Sequence, residues 1–198
     1  FHPSGRWVAT ADISGVVLWP FSHPYPTILR GHTSTVAGLA IAPDGSWVAT
    51  SSWDNTVRVW PLHGSSKALE RAMPVAVNRL AAHPGGRFLL GGGTFGKTYL
   101  MPIDGGQTSV LEGFSHQVWA VALSQDGSLA AAGGGQDQPR DGVVRVWNLE
   151  RDDVRVLDPG DGRFVGGLQF TPDGHLVVGS ESGVRVWNLD DGTFRTIW

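Results

Sequence analysis

Gly91, Gly93 and Gly96 spell G-x-G-x-x-G, a pattern that cradles a dinucleotide phosphate when it leads from a strand into a helix. Here the glycines lie between two strand-like segments, so a plain turn is expected, and Gly133-Gly134-Gly135 reads the same way. The seven histidines lack metal-ligand spacing, and the absence of cysteine removes disulfides, thiolate chemistry and Cys-based zinc sites. Asp152-Asp153 and Asp190-Asp191 fall in turn-like segments and read as solvated charge. No metal and no cofactor is expected.

The 198 residues are 41% apolar and 17% charged, with a net charge of −3, which is a globular composition. Near-balanced charge argues against nucleic acid or an acidic membrane as the main partner. No apolar run approaches the ~20 residues that span a bilayer. With no leader visible ahead of Phe1, a cytoplasmic chain whose termini are missing is expected. Twenty-eight glycines and nine tryptophans point to short strands tied by tight turns.

A repeat organises these residues. Trp19, Trp60, Met101, Trp147 and Trp187 close similar apolar alternations at spacings of 41, 41, 46 and 40 residues. Turn glycines Gly5, Gly45, Gly86, Gly127 and Gly174 keep step at 40, 41, 41 and 47. This period is that of a four-stranded propeller blade. In the second copy, Val36–Ala42, Trp47–Ser51, Val57–Trp60 and Lys67–Ala72 read as four strands separated by turn residues such as Asp44-Gly45 and Asp54-Asn55.

No stretch carries sustained helical periodicity, so essentially no helix is expected. The repeated Trp is expected to wedge between sheets. Burying ~200 Å² of ring at ~25 cal/mol per Å² is worth up to ~5 kcal/mol. Trp7 and Trp47 share a core position with Phe88, Leu129 and Leu176.

These residues resemble a WD40 repeat protein over the whole chain. The resemblance implies an all-β propeller whose blades each hold a His, a Ser/Thr, an Asp and a Trp in a buried hydrogen-bonded network. The second copy matches with His32 (after Gly31), Thr50, Asp54 and Trp60. The fourth is matched with His116, Asp141 and Trp147, with Ala131 in place of the hydroxyl. The fifth keeps Trp187 but has Glu181 at the Asp position. The third has Met101 and Phe95, and the first has Trp19 with Asp12 one position out of register. Thr50, His32 and Asp54 are also the residue types of a nucleophilic triad, but the family places them in a packed interior without a cleft.

Blades are expected at 1–31 (partial), 32–73, 74–114, 115–160 and 161–198. This gives nineteen strands, five four-stranded antiparallel blades with the first incomplete, as an open part of a larger, seven-blade ring.

Large residues that the repeat does not require mark the candidate function. Trp53 precedes the turn Asp54, and Arg140 precedes Asp141. Trp119 stands where other copies have Ala37, Asn78 and Gly166. In WD40 propellers such positions tend to line the rim around the channel, where peptides dock. Trp53, Trp119 and Phe164, with Asn78, Arg79 and Arg140, are the expected partner-binding residues. The insertion 136–140 lengthens one turn, a common place for function.

The reading is a non-catalytic platform for a protein or peptide partner or for complex assembly. The alternatives are an enzyme using the channel and an arc completing a ring in an oligomer. Thirteen Arg against two Lys, and the close repeats, resemble bacterial WD40 proteins. In those, the array often follows a signalling module such as a Ser/Thr kinase or a NACHT-type NTPase, so a fused N-terminal effector and a regulatory role are expected.

Overall fold

The computed structural model describes residues 1–13, 15–22, 25–63, 67–135, 142–151, 153–158 and 164–197. Among them are nineteen strands and no helix. The first sheet holds β1 (Trp7–Asp12), β2 (Gly15–Pro20) and β3 (Thr27–Leu29). The second holds β4 (Val36–Ile41), β5 (Trp47–Ser52), β6 (Thr56–Pro61) and β7 (Leu69–Ala72). The third holds β8 (Val77–Ala82), β9 (Phe88–Gly93), β10 (Thr98–Pro102) and β11 (Ser109–Leu111). The fourth holds β12 (Val118–Leu123), β13 (Leu129–Gly134), β14 (Val144–Asn148) and β15 (Asp153–Leu157). The fifth holds β16 (Val165–Phe170), β17 (Leu176–Ser180), β18 (Gly183–Trp187) and β19 (Phe194–Thr196).

Every sheet is an antiparallel meander in chain order. The inner strands β4, β8, β12 and β16 pack side by side in sequence. No comparable packing joins the fifth sheet to the first among the described residues, so the architecture is the open β-propeller arc expected from the repeat.

The core lies between sheets, as it must when each sheet buries two faces and alternate side chains point opposite ways. In the second sheet Trp47, Ala49, Val57 and Val59 face forward onto Val77, Leu80, Leu89 and Met101 of the third. Trp60 and Val48 face back onto Val16 and Leu18 of the first. Trp147 packs back onto Leu90 and Leu100, and Trp187 packs back onto Val144 and Val146.

The wedge tryptophan of each sheet is thus buried by the sheet before it: Trp60 and Trp147 are 8% exposed and Trp187 is 5% exposed. Trp19 departs from the expectation at 44% exposed, because among the described residues no sheet lies on that side of the first one.

Two further regularities position the ends of the arc. Each of the four inner strands shifts register at the same place, between Val36 and Gly38, Val77 and Arg79, Val118 and Ala120, and Val165 and Gly167. The skipped residues are Ala37, Asn78, Trp119 and Gly166, and a bulge re-aims the side chain it carries.

At the opposite end, imidazoles clasp neighbouring sheets. Ser4 N–H donates to His2 Nδ1 (3.1 Å), which leaves the proton on Nε2 to donate to the Gly45 carbonyl of the next sheet (3.2 Å). Gly85 N–H likewise donates to His83 Nδ1 (2.9 Å), Nε2 lies 3.1 Å from Arg87 Nη2, and the ring packs against Gly127 of the next sheet. Ala42 and Ser124 replace the histidine in the second and fourth sheets. The glycines they would clasp, Gly86 and Gly174, have open space beside their Cα atoms. Beside Ser124 an open notch of about 360 Å³ lies between Leu129 and Phe170.

Candidate functional site

Beneath the bulged end of the second sheet lies a directional chain of hydrogen bonds. Trp60 Nε1–H donates to Thr50 Oγ1 (2.8 Å), and Thr50 Oγ1 lies 2.8 Å from His32 Nε2. His32 Nδ1 lies 2.8 Å from Asp54 Oδ2. Read in one direction, the indole donates to the hydroxyl, the hydroxyl to Nε2, and Nδ1–H to the carboxylate. Every donor then has an acceptor with a neutral ring.

Asp54 also accepts from Thr33 N–H (3.0 Å), Thr56 N–H (2.9 Å) and Thr56 Oγ1–H (2.7 Å). Burial works against its charge, but the bonds from Thr56, Thr33 and His32 outweigh it and hold the carboxyl well below its usual range.

The Thr50–His32–Asp54 order is that of a nucleophilic triad. Thr50 is nevertheless fully buried, and its oxygen is occupied by the indole, so no substrate can reach it. The network locks the blade.

Register places the related positions of the other sheets, and it corrects two of those expected. Thr50 pairs with Arg58 two residues before Trp60, and Ala132 pairs with Arg145 two before Trp147. Ala132, not Ala131, therefore stands where the hydroxyl would be. His32 lies four residues before the inner-strand Val36, and four before Val118 is Phe114, not His116. Phe114 meets Trp147 edge-on at 6.2 Å and 61°, as His32 meets Trp60 at 6.2 Å and 70°. His116 occupies the register position of Ser34 instead.

In the fourth blade Phe and Ala have replaced His and Thr together, which removes two polar groups without stranding either. Asp141 lies outside the described residues. The first sheet keeps a bond not anticipated from sequence: Trp19 Nε1–H donates to Thr10 Oγ1 (2.9 Å), with Thr10 at the register of Thr50. In the fifth sheet that register holds Val178, and Trp187 Nε1 is buried without a hydrogen-bond partner.

The expected rim residues separate. Backbone bonds from Trp53 N to Thr35 O (3.0 Å), Thr94 N to Ala76 O (2.9 Å) and Glu181 N to Phe164 O (3.3 Å) bring the turns after the second strands to the starts of the inner strands. Trp53, Trp119, Arg79 and Phe164 therefore share one end of the arc. Trp53 is 54% exposed. Trp119, re-aimed by the bulge, meets Phe164 of the next blade edge-on at 6.3 Å and 65°, and both rings are half-buried.

Arg79 is exposed, with Nη1 donating to the carbonyls of Ala37 and Asn78 (3.1 Å each). Asn78 is a correction: it is 1% exposed, and its Nδ2 donates to the Val118 carbonyl (3.4 Å), so it ties blades together beneath the surface. Arg140 and the insertion 136–140 lie outside the described residues.

The family model described as WD domain, G-beta repeat matches residues 24–61, 105–148 and 153–188, together more than half of the chain. The chain belongs to the WD40 repeat family. Among its relatives is the target of rapamycin complex subunit wat1 of Schizosaccharomyces pombe, 28% identical over 97% of this chain and 64% of that protein. WD repeat-containing protein SL1-17 of Schistosoma mansoni is 28% identical over 94% of this chain and 63% of its own length. Apoptotic protease-activating factor 1 of Mus musculus is 28% identical over 83% of this chain, which is 13% of that protein.

The chain thus spans just under two thirds of the first two relatives. All three are eukaryotic and lend no support to the expected bacterial grouping. Within this WD40 chain, the full four-residue network occurs only in the second blade among the described residues. No group of three or more His, Cys, Asp or Glu gathers into a metal-binding set among those residues.

Proposed function

We propose that this WD40 chain is a non-catalytic platform that binds a protein or peptide partner on the rim formed by Trp53, Trp119, Phe164 and Arg79. The observation that carries the reading is the placement of Trp119. A bulge present in all four inner strands turns this residue, and only here a large one, toward Phe164 on the next blade. Large aromatic rings beside an arginine are the usual anchors of interfaces. The relatives' names support an assembly role, one being a subunit of a complex.

A position beside an effector module in a longer chain is part of the same proposal. It is in keeping with the match to a protein of which this chain covers 13%. Cytoplasmic placement belongs to the proposal too. No helix among the described residues is long and apolar enough to cross a membrane.

The test is the double variant Trp53→Ala with Trp119→Ala. It is expected to abolish partner capture in a pull-down while leaving the thermal melt unchanged. Loss of folding would place the rings in the core and overturn the reading. A second reading, an arc that completes a ring with another copy, rests on the exposed Trp19 (44%) and Ile28 (44%) of the first sheet. Sedimentation of the chain as a dimer would favour it.

A further inference from the structure

We propose that Phe95 extends the binding rim across the third blade, and that the partner it serves is an acidic, extended peptide with apolar anchors. The inference rests on the rim reading above and names the chemistry of its partner.

Phe95 is 75% exposed and sits at φ +54°, followed by Gly96 at +71°. Two consecutive left-handed residues between β9 and β10 make the hairpin turn whose preferred sequence is Asn-Gly. A phenylalanine there gains no burial and holds a backbone conformation that Asn or Gly would adopt more easily. Neither packing nor turn geometry accounts for the ring, whereas display to a partner does. The Thr94–Ala76 bond places this turn at the same end as Trp53, on the adjacent blade.

Charge selects the partner. Arg79 reaches from the third blade to the Ala37 carbonyl of the second, at the end of the arc that carries both aromatic turns. Its hydrogen bonds go to carbonyl oxygens, which leave its charge uncancelled. Exposed rings at the same end as an uncancelled guanidinium match apolar side chains next to Asp or Glu.

Short peptides selected from a displayed random library on the whole chain supply the probe, and fluorescence anisotropy reads their binding. The selected sequences are expected to carry Asp or Glu beside an apolar residue. Their amide analogues are expected to bind about tenfold more weakly. Phe95→Asn is expected to raise Tm by about 2–4 °C, because Asn suits the turn, while weakening peptide binding about tenfold. Unchanged binding by Phe95→Asn, or selected peptides without acidic residues, would overturn the proposal. If the Trp53→Ala, Trp119→Ala variant loses binding in those cases, the rim reading stands and only this extension falls. If that variant also binds normally, both fall.

Discussion

The imidazole of His83 sets its Nε2 side against the turn glycine Gly127 of the following blade, so closely that a methyl group on Gly127 would overlap the ring. Gly174, the same turn position one blade on, faces open space at nearly the same φ, +86° against +76°. Backbone strain on adding a side chain is therefore common to both, and the clasp is the difference. Gly127→Ala is expected to destabilise by about 1–3 kcal/mol more than Gly174→Ala in denaturant unfolding. The excess should vanish in a His83→Ala background.

Asp54 holds together four donors from three residues, and its side chain is only 7% exposed. Asp54→Ala leaves these donors stranded and is expected to cost about 3–5 kcal/mol. Phe95→Ala, at an exposed ring, is expected to change stability by no more than about 0.5 kcal/mol. Thermal melts of the two variants compare them directly, and equal shifts would refute the network.

Acid should weaken the fold in two stages. Burial, then the Arg87 guanidinium, holds the His83 pKa below its ordinary 6.5, so the unfolded chain takes up that proton first. Stability from the neutral ring is fully present above pH 6.5 and drains away below it. Asp54 is depressed below 3.8, so its contribution is fully present above that pH and is lost as pH falls toward the folded-state value. Urea midpoints measured against pH should lose the first stage in His83→Gln and the second in Asp54→Asn.

In the fourth blade Phe114 faces a site where Ala132 replaces the hydroxyl. Phe114→His alone is expected to destabilise by about 1–3 kcal/mol, because the ring nitrogen toward residue 132 finds no partner. Adding Ala132→Thr should recover part of that loss. A double-mutant cycle showing no coupling of at least about 0.5 kcal/mol would contradict the register assignment.

The repeat was legible because two markers, the closing Trp and the turn Gly, answer to local constraints visible in any copy. Nineteen strands and an open arc followed from them. Residue type misleads where register decides. His116 fits the network as a histidine, although counting back from Val118 gives Phe114, and Ala131 lies one residue off the hydroxyl register that Ala132 holds.

Trp19 could not be ranked against Trp60 from sequence, since its burial depends on a neighbouring sheet. Asn78 shared a position with Trp119 but is short enough to turn inward to the Val118 carbonyl. The reach of His2 and His83 to the glycines of the next blade is a contact between repeats that no single repeat displays. Phe95 was seen only as a missing aspartate.

The recurring bulge has an evolutionary consequence. Residues 37, 78, 119 and 166 stand outside the strand ladder, so exchanging one of them leaves every pairing in its sheet intact. A lineage could redirect what the rim recognises by rewriting such positions as 37 and 119, while the scaffold beneath, Asn78 included, stays under separate selection. Ala37 is the small site from which a new specificity would most cheaply be built, whereas a Cβ on Gly166 would meet the Phe164 ring.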